Sequence, residues 1–221
     1  MGFNIAIDGP AGAGKSTAAR RAAQRLDFIY VDTGAMYRTI ALAVLRGHVD
    51  PQDPEALQGV LDQVRIGIEY RDGSQRMLLN GEDVSDLIRT GEVSSQASVV
   101  AAIPAVREKL LNLQRDLAAS ADVIMDGRDI GTNILPDAQL KIYLTASVEE
   151  RARRRYLEMT EKGEACSLEE IAKEIAERDE RDMNRETAPL RQAEDAVFLD
   201  TSDMDLEQVT EKIVELAGER M

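Results

Sequence analysis

The chain has 221 residues, a length that holds one α/β core with small insertions, and it is 43% hydrophobic and 31% charged, the composition of a chain that folds. With 41 acidic against 27 basic residues and a formal charge of -14, it excludes a protein that coats nucleic acid, which needs a broad cationic face. Any anion site must therefore be local.

Phe3-Asp8 is the first short apolar run bounded by polar residues and reads as a buried parallel strand. It is cut by Asp8 and passes straight into glycines, so it is too short for a signal-peptide core or a membrane span, and a cytoplasmic location is expected. The next residues, Gly9-Pro10-Ala11-Gly12-Ala13-Gly14-Lys15-Ser16, fit G-x-x-x-x-G-K-[ST]. Glycines let the backbone curl so that successive N–H groups face one anion, and the helix that follows adds its positive dipole end. In that pattern Lys15 reaches the β- and γ-phosphates of ATP and Ser16 offers a hydroxyl to Mg²⁺, with Thr17 as a neighbour able to share that duty.

Apolar residues at 3.6 spacing predict helices over Thr17-Leu26 and Ala35-Arg46, with a strand, Phe28-Val31, between them. Asp32-Thr33-Gly34-Ala35-Met36-Tyr37-Arg38 follows that strand and opens the second helix, which puts Thr33 and Arg38 at the carboxyl edge of the sheet, where ligands bind. Arg38 can grip an acceptor phosphate with two donors. His48, the sole histidine, follows Gly47 at a helix end and reads as a cap or a surface residue. Arg65 to Leu79 changes period: Ile66, Ile68 and Tyr70 alternate, Asp72-Gly73 supplies a turn, and Met77 and Leu79 alternate again, so a small antiparallel insertion is predicted.

A helix over Pro104-Ala119 leads to the strand Asp122-Asp126 and the polar cluster Asp126-Gly127-Arg128-Asp129. Asp126 stands where a carboxylate would hold magnesium or its waters, and Arg128 and Asp129 follow it into the same crevice. The strand Leu140-Leu144 precedes helices over Val148-Lys162 and Leu168-Asn184, whose starts at Ser147/Glu150 and Ser167/Glu170 fit capping boxes. These helices are dense in arginine: Arg151, Arg153, Arg154, Arg155, Arg178, Arg181, Arg185 and then Arg191. Interleaved acids make solvated i,i+4 ion pairs the plain reading for most of them. Phosphoryl transfer, however, needs cations closing on the transferred group, and Arg178, Arg181 and Arg185 share one helix face. Cys166, the sole cysteine, can form no intrachain disulfide and is incidental. Ala196-Leu199 and Leu206-Ala217 supply a last strand and helix. The alternation predicts a doubly wound α/β sheet of five strands, and no repeat or linker divides the chain.

A phosphate loop alone leaves several chemistries open. A kinase of a hydroxylated metabolite would need a base for the alcohol, and a regulatory ATPase would have no use for Arg38, Arg128 and Arg185 together. No N-K-x-D element for guanine is present.

Four motifs taken together resemble the bacterial cytidylate kinases over nearly the full length: Gly9-Pro10-x-Gly12-x-Gly14-Lys15, Asp32-x-Gly34-x-x-Tyr37-Arg38, Asp126-Gly127-Arg128-Asp129-x-Gly131-Thr132, and Glu177-Arg178-Asp179-x-Arg181-Asp182-x-Asn184-Arg185. The resemblance implies an adenylate-kinase-like core (about 1-60, 102-150 and 185-221), an insertion for the nucleoside monophosphate (about 61-101) and a helical lid (about 151-184). It also implies transfer from ATP to CMP or dCMP with Mg²⁺. A monomer with no membrane or nucleic-acid partner is expected. By the family's pattern Arg38, Arg128 and Arg185 hold the CMP phosphate, Ser98, Arg107 and Asp129 read cytosine, and Arg178 and Asp182 contact the ribose. Thr33, standing in for a frequent Ser, lies in the same substrate region. Without the resemblance, Ser98 and Arg107 read as ordinary helix surface. Many members carry Ser at Ala11 and Gly at Ser16, which leaves open whether Ser16 or Thr17 meets the metal. No general base is required, because the acceptor oxygen is already ionised.

Overall fold

The computed structural model describes residues 2–71, 74–161 and 163–221. In chain order the elements are β1 (Asn4–Asp8), α1 (Lys15–Leu26), β2 (Ile29–Asp32), α2 (Thr33–Arg46), α3 (Pro54–Gln63), β3 (Ile66–Arg71), β4 (Ser74–Leu79), β5 (Glu82–Asp83), α4 (Gly91–Val100), α5 (Pro104–Ser120), β6 (Val123–Gly127), β7 (Leu140–Thr145), α6 (Val148–Glu161), α7 (Leu168–Asn184), β8 (Val197–Asp200) and α8 (Leu206–Gly218). A parallel five-stranded sheet runs in the order β2-β6-β1-β7-β8, and β3-β4-β5 form a separate antiparallel sheet. Backbone contacts divide the chain into two compact units, Met1–Tyr30 with Ala121–Met221, and Val31–Ser120.

In the first unit β1 is central, paired in parallel with β6 (Ile7 opposite Asp126) and with β7 (Ile7 opposite Ile142). The strand order reverses on either side of β1, so the carboxyl end of β1 is a switch point of the kind that binds ligands. Ile5, Ile7, Ile124, Ile142 and Leu144 belong to one buried core with Ala18, Ala19, Ala22 and Ala23 of α1 and Ile213 and Ala217 of α8. The alanines let α1 lie close on the sheet, which fixes its first residue, Lys15, at the end of β1. α6 and α7 pack on each other around a small core of their own, Ala152, Ile171 and Ile175.

In the second unit α2 packs against α3, α4 and α5 and against β4. The β3–β4 pair is in register as its alternation predicts, Ile68 opposite Met77, while the Asp72-Gly73 turn lies outside the described residues. His48 stands at φ 51 just past α2, with its N–H on the Leu45 carbonyl, so it and not Gly47 takes the left-handed cap position.

Several boundaries move for local reasons. α1 begins at Lys15, not Thr17, because Gly14 at φ 83 turns the chain directly into the helix. α2 begins at Thr33, not Ala35, because the Asp32 carboxylate caps it, accepting from the Ala35 N–H at 2.8 Å. The helix over Val148-Lys162 is described as far as Glu161, Lys162 being outside the described residues. Only half of each expected capping box is described. Ser147 and Ser167 accept from the N–H groups of Glu150 and Glu170, but the Glu150 carboxylate is engaged by Arg153 and Arg154. A complete box caps α8, between Asp205 and Gln208. Two further helices, α3 and α4, lie outside the elements that the sequence pattern predicts.

Candidate active site

The phosphate loop runs from Gly9 to Lys15 at the end of β1. A Cβ on Gly9 would lie 1.9 Å from the Leu144 carbonyl oxygen of β7, so only glycine lets the loop leave the strand so close to its neighbour. Gly14, having no side chain, leaves the first N–H groups of α1 uncapped and open to an anion. Lys15 is only 4% exposed, and its Nζ donates to the Pro10 carbonyl oxygen at 2.6 Å. Burial, helped by the Arg128 charge, pushes the Lys15 ammonium down to about 7 against the pull of Asp126, Asp8 and Asp182. Asp8 of β1 stands opposite Gly127 of β6, so the loop lysine, the β6 carboxylate and Arg128 lie at the same end of the sheet.

Asp126, on β6, is buried. Its Oδ2 accepts from the Ser16 hydroxyl at 2.6 Å and its Oδ1 from the Tyr30 hydroxyl at 2.9 Å. Ser16 and Asp126 are therefore brought together as a pair of hard oxygen donors, while Thr17 is exposed. Among the described residues no group of three or more His, Cys, Asp or Glu could cage a metal. The Ser16–Asp126 pair fits a hard divalent ion that draws its remaining ligands from water and substrate oxygens. Tyr30 is a site neighbour that the sequence marks only as strand filling. Its ring also lies under the Arg20 guanidinium, 5.4 Å from the carbon to the ring centroid.

Beyond β6 the chain makes a single π turn over Ile130–Ile134, with the Ile134 N–H on the Asp129 carbonyl at 3.2 Å and the Leu135 N–H on the Ile130 carbonyl at 2.7 Å. Arg128 Nε meets Asp182 Oδ2 of α7 at 2.9 Å, and Arg185 Nη2 lies 3.4 Å from Asp129 Oδ1. Burial raises the Asp182 carboxyl, but the charges of Arg128, Arg178 and Arg185 outweigh it and hold the group below the usual range. Arg128, Asp129, Arg178, Asp182 and Arg185 thus form one polar cluster. Arg181 is exposed, and its Nε donates to the Glu177 carbonyl of its own helix at 3.2 Å.

The other arginines divide. Arg153 pairs with Glu150 as solvated helix ion pairs do, Arg154 pairs with Glu150 at 2.9 Å and also donates to the Thr201 carbonyl at 2.7 Å, and Arg155 reaches Glu174 only at 4.0 Å. Arg151 departs from that reading. It is 3% exposed and donates to the Ala146 carbonyl at 2.8 Å and to the phosphate-loop Ala11 carbonyl at 3.0 Å, and it pairs with Asp179 of α7 at 2.6 Å. No spacing in the sequence distinguishes it from the arginines beside it.

In the second unit Asp32 both caps α2 and holds Arg38, at 2.9 Å. Gly34 permits this: a Cβ there would lie 3.1 Å from both Arg38 Nη1 and Asp32 Oδ1. Gln75 of β4 fastens the Asp32 backbone, accepting from its N–H at 2.8 Å. Thr33 is buried in the first turn of α2. Arg107 is not helix surface as its periodicity suggests. It is buried on α5, donates to the Ala101 carbonyl at the end of α4 at 3.2 Å, and has its guanidinium carbon 5.7 Å from the Tyr37 ring centroid. Ser98, half-buried on α4, is three residues from that carbonyl.

The chain's relatives bear on this geometry. A likeness of fold extends over 99% of both chains to an uncharacterized protein from Eubacterium ventriosum, with a TM-score of 0.55 at 13% identity. Proteins named cytidylate kinase match far more closely in sequence. The one from Caldicellulosiruptor saccharolyticus is 53% identical over 97% of this chain and 95% of its own. The one from Bacillus cytotoxicus is 48% identical over 99% and 97%. The family model described as cytidylate kinase matches residues 5–219, a span that takes in the phosphate loop, the Asp32–Arg38 turn and the Arg128–Asp182 cluster, and the chain belongs to the cytidylate kinase family.

Proposed function

We propose that the chain transfers the γ-phosphoryl group of ATP to the phosphate of CMP or dCMP, giving ADP and CDP or dCDP. The observation that carries this reading is the strand register that sets Asp8, at the entry to the phosphate loop, opposite Gly127, next to Arg128, whose Nε meets Asp182 at 2.9 Å, so that a phosphate-loop lysine and an arginine cluster suited to a second phosphate leave the same end of the sheet. Gly9 to Thr17 take the ATP phosphates through backbone N–H groups and Lys15. Arg38, Arg128 and Arg185 hold the CMP phosphate, Arg178 and Asp182 the ribose, and Ser98, Arg107 and Asp129 the base, with Thr33 beside them. Arg107 suits base reading because it is buried and already oriented by the Ala101 carbonyl, so a wrong base edge leaves polar groups unpaired.

The phosphate oxygen of CMP is the nucleophile and carries its charge at neutral pH, so the side chains need only position it in line and neutralise charge on the transferred group. Lys15, Arg128, Arg178, Arg181 and Arg185 serve that neutralisation. Ser16 and Asp126 would hold Mg²⁺, which when bound draws charge from the β- and γ-phosphate oxygens. The α6–α7 pair is the lid and the β3–β4 region the monophosphate-binding insertion. We also assign a monomer in the cytoplasm, where ATP and CMP are found, with no nucleic-acid partner; among the described residues no helix is long and apolar enough to cross a membrane.

The deciding measurement is ADP release with each common nucleoside monophosphate in turn. CMP and dCMP should give the highest kcat/KM. ADP release that is indifferent to the acceptor would mean a simple ATPase, and phosphorylation of an alcohol with CMP inert would mean a metabolite kinase.

A further inference from the structure

Asp8 ends β1, one residue before the phosphate loop, and is 5% exposed. Its Oδ1 accepts from the Ile130 N–H at 2.8 Å and its Oδ2 from the Gly131 N–H, also at 2.8 Å. These are the first two N–H groups of the π turn, donors that the turn itself cannot satisfy. Two successive N–H groups converging on one point form an anion-binding concavity, and a carboxylate is the side chain that offers two acceptor oxygens and no donor. An asparagine would satisfy one N–H and point its own N–H₂ at the other. Burial makes the charge costly and pushes the Asp8 carboxyl up to about 6, although both N–H groups and Lys15 act to lower it and Asp129 adds to the rise. What this costly group holds is the backbone that continues directly from Arg128 and Asp129, whose side chains meet Asp182 and Arg185.

We propose that Asp8 is a positioning residue for the acceptor nucleotide: by holding the N–H groups of Ile130 and Gly131 it fixes the backbone that presents Arg128 and Asp129. It touches no phosphate and acts through that turn. The inference rests on the reading that Arg128 and Asp129 bind CMP.

Asp8→Asn in the full chain tests it, with steady-state kinetics and CMP affinity in the absence of ATP. Losing one charge-assisted hydrogen bond at the clamp should raise the KM and the Kd for CMP about tenfold, with the KM for ATP changed by less than about twofold. Ile213→Val, a core change on α8 far from the turn in sequence, serves as a control for lost stability and should leave the CMP KM unchanged. If Asp8→Asn lowers the melting temperature but not CMP affinity, or weakens both substrates equally, Asp8 is a structural residue and the proposal fails. If that variant does not fold, amide exchange in the wild type decides: the Ile130 and Gly131 N–H groups should be protected without CMP, and rapid exchange there overturns the clamp. A wild type inactive on CMP would instead overturn the functional reading and leave the clamp's geometry standing.

Discussion

Asp8 and Arg107 show how much can depend on a single buried charge. The folded-state pKa of Asp8 is raised to about 6, while an unfolded Asp titrates near 3.9, so between those values the folded chain binds more protons than the unfolded one. Stability from this group is therefore fully present below about pH 4 and is lost as pH rises through about 6. Relative to Asp8→Asn, the wild type should lose up to about 3 kcal/mol between pH 4 and pH 7, read from denaturant unfolding at each pH. A difference that stays flat over that window would mean the carboxylate is not desolvated as the structure places it. For Arg107→Met the effect belongs to recognition. kcat/KM for CMP should fall by about 10- to 100-fold and the advantage over UMP should narrow, because Met keeps the bulk of the side chain but offers no donor. An unchanged CMP:UMP ratio would remove Arg107 from base reading. Neither burial is legible from residue type: Asp8 reads as the polar end of a strand, and Arg107 as the polar side of an amphipathic pattern.

At the scale of elements, the α6–α7 pair packs around a small core of its own, Ala152, Ile171 and Ile175, and carries a buried ion pair. Arg151 bonds Asp179 through Oδ2, and Asp179 Oδ1 finds no hydrogen-bond donor among the described residues. An imperfectly satisfied buried pair contributes little net stability, yet removing one partner strands the other charge. Arg151→Met should therefore cost about 3–5 kcal/mol in urea unfolding, and adding Asp179→Leu should recover at least half of that loss. A double variant as unstable as the sum of the two single ones would show that the charges are independent. The main strands and the long helices are legible in the sequence to within two residues, since strands buried on both faces are continuous apolar runs and the helices carry wide apolar stripes. α4 is not legible, because Gly91, three serines and three valines make a poor helix in isolation, and it forms where Thr90 caps it and α2 packs against it. α3 carries readable signals, Asp53 as cap with Pro54 behind it and apolar residues at 56, 57, 60 and 61. The π turn has none, for its geometry is set by Asp8, more than a hundred residues earlier in the chain.

Over the molecule as a whole, a formal charge of -14 acts against binding two nucleotides, yet the first unit gathers Arg128, Arg178 and Arg185 around Asp182 beside a buried lysine. Local charge decides binding because surface charges more than about 10 Å away are screened at physiological salt. The phosphate loop of the first unit and Arg38 of the second should then be separable by mutation. At 100 times Kd a nucleotide stabilises the chain it binds by about 2.7 kcal/mol, which for a chain of this size moves the melting temperature by roughly 5–10 °C. ATP and CMP should each produce such a shift in the wild type. Lys15→Ala should abolish turnover and shrink the ATP shift while the CMP shift remains, and Arg38→Ala should do the reverse. Loss of both shifts in either variant would mean that the two nucleotides do not occupy the separate sites that the phosphate loop and the arginine cluster describe.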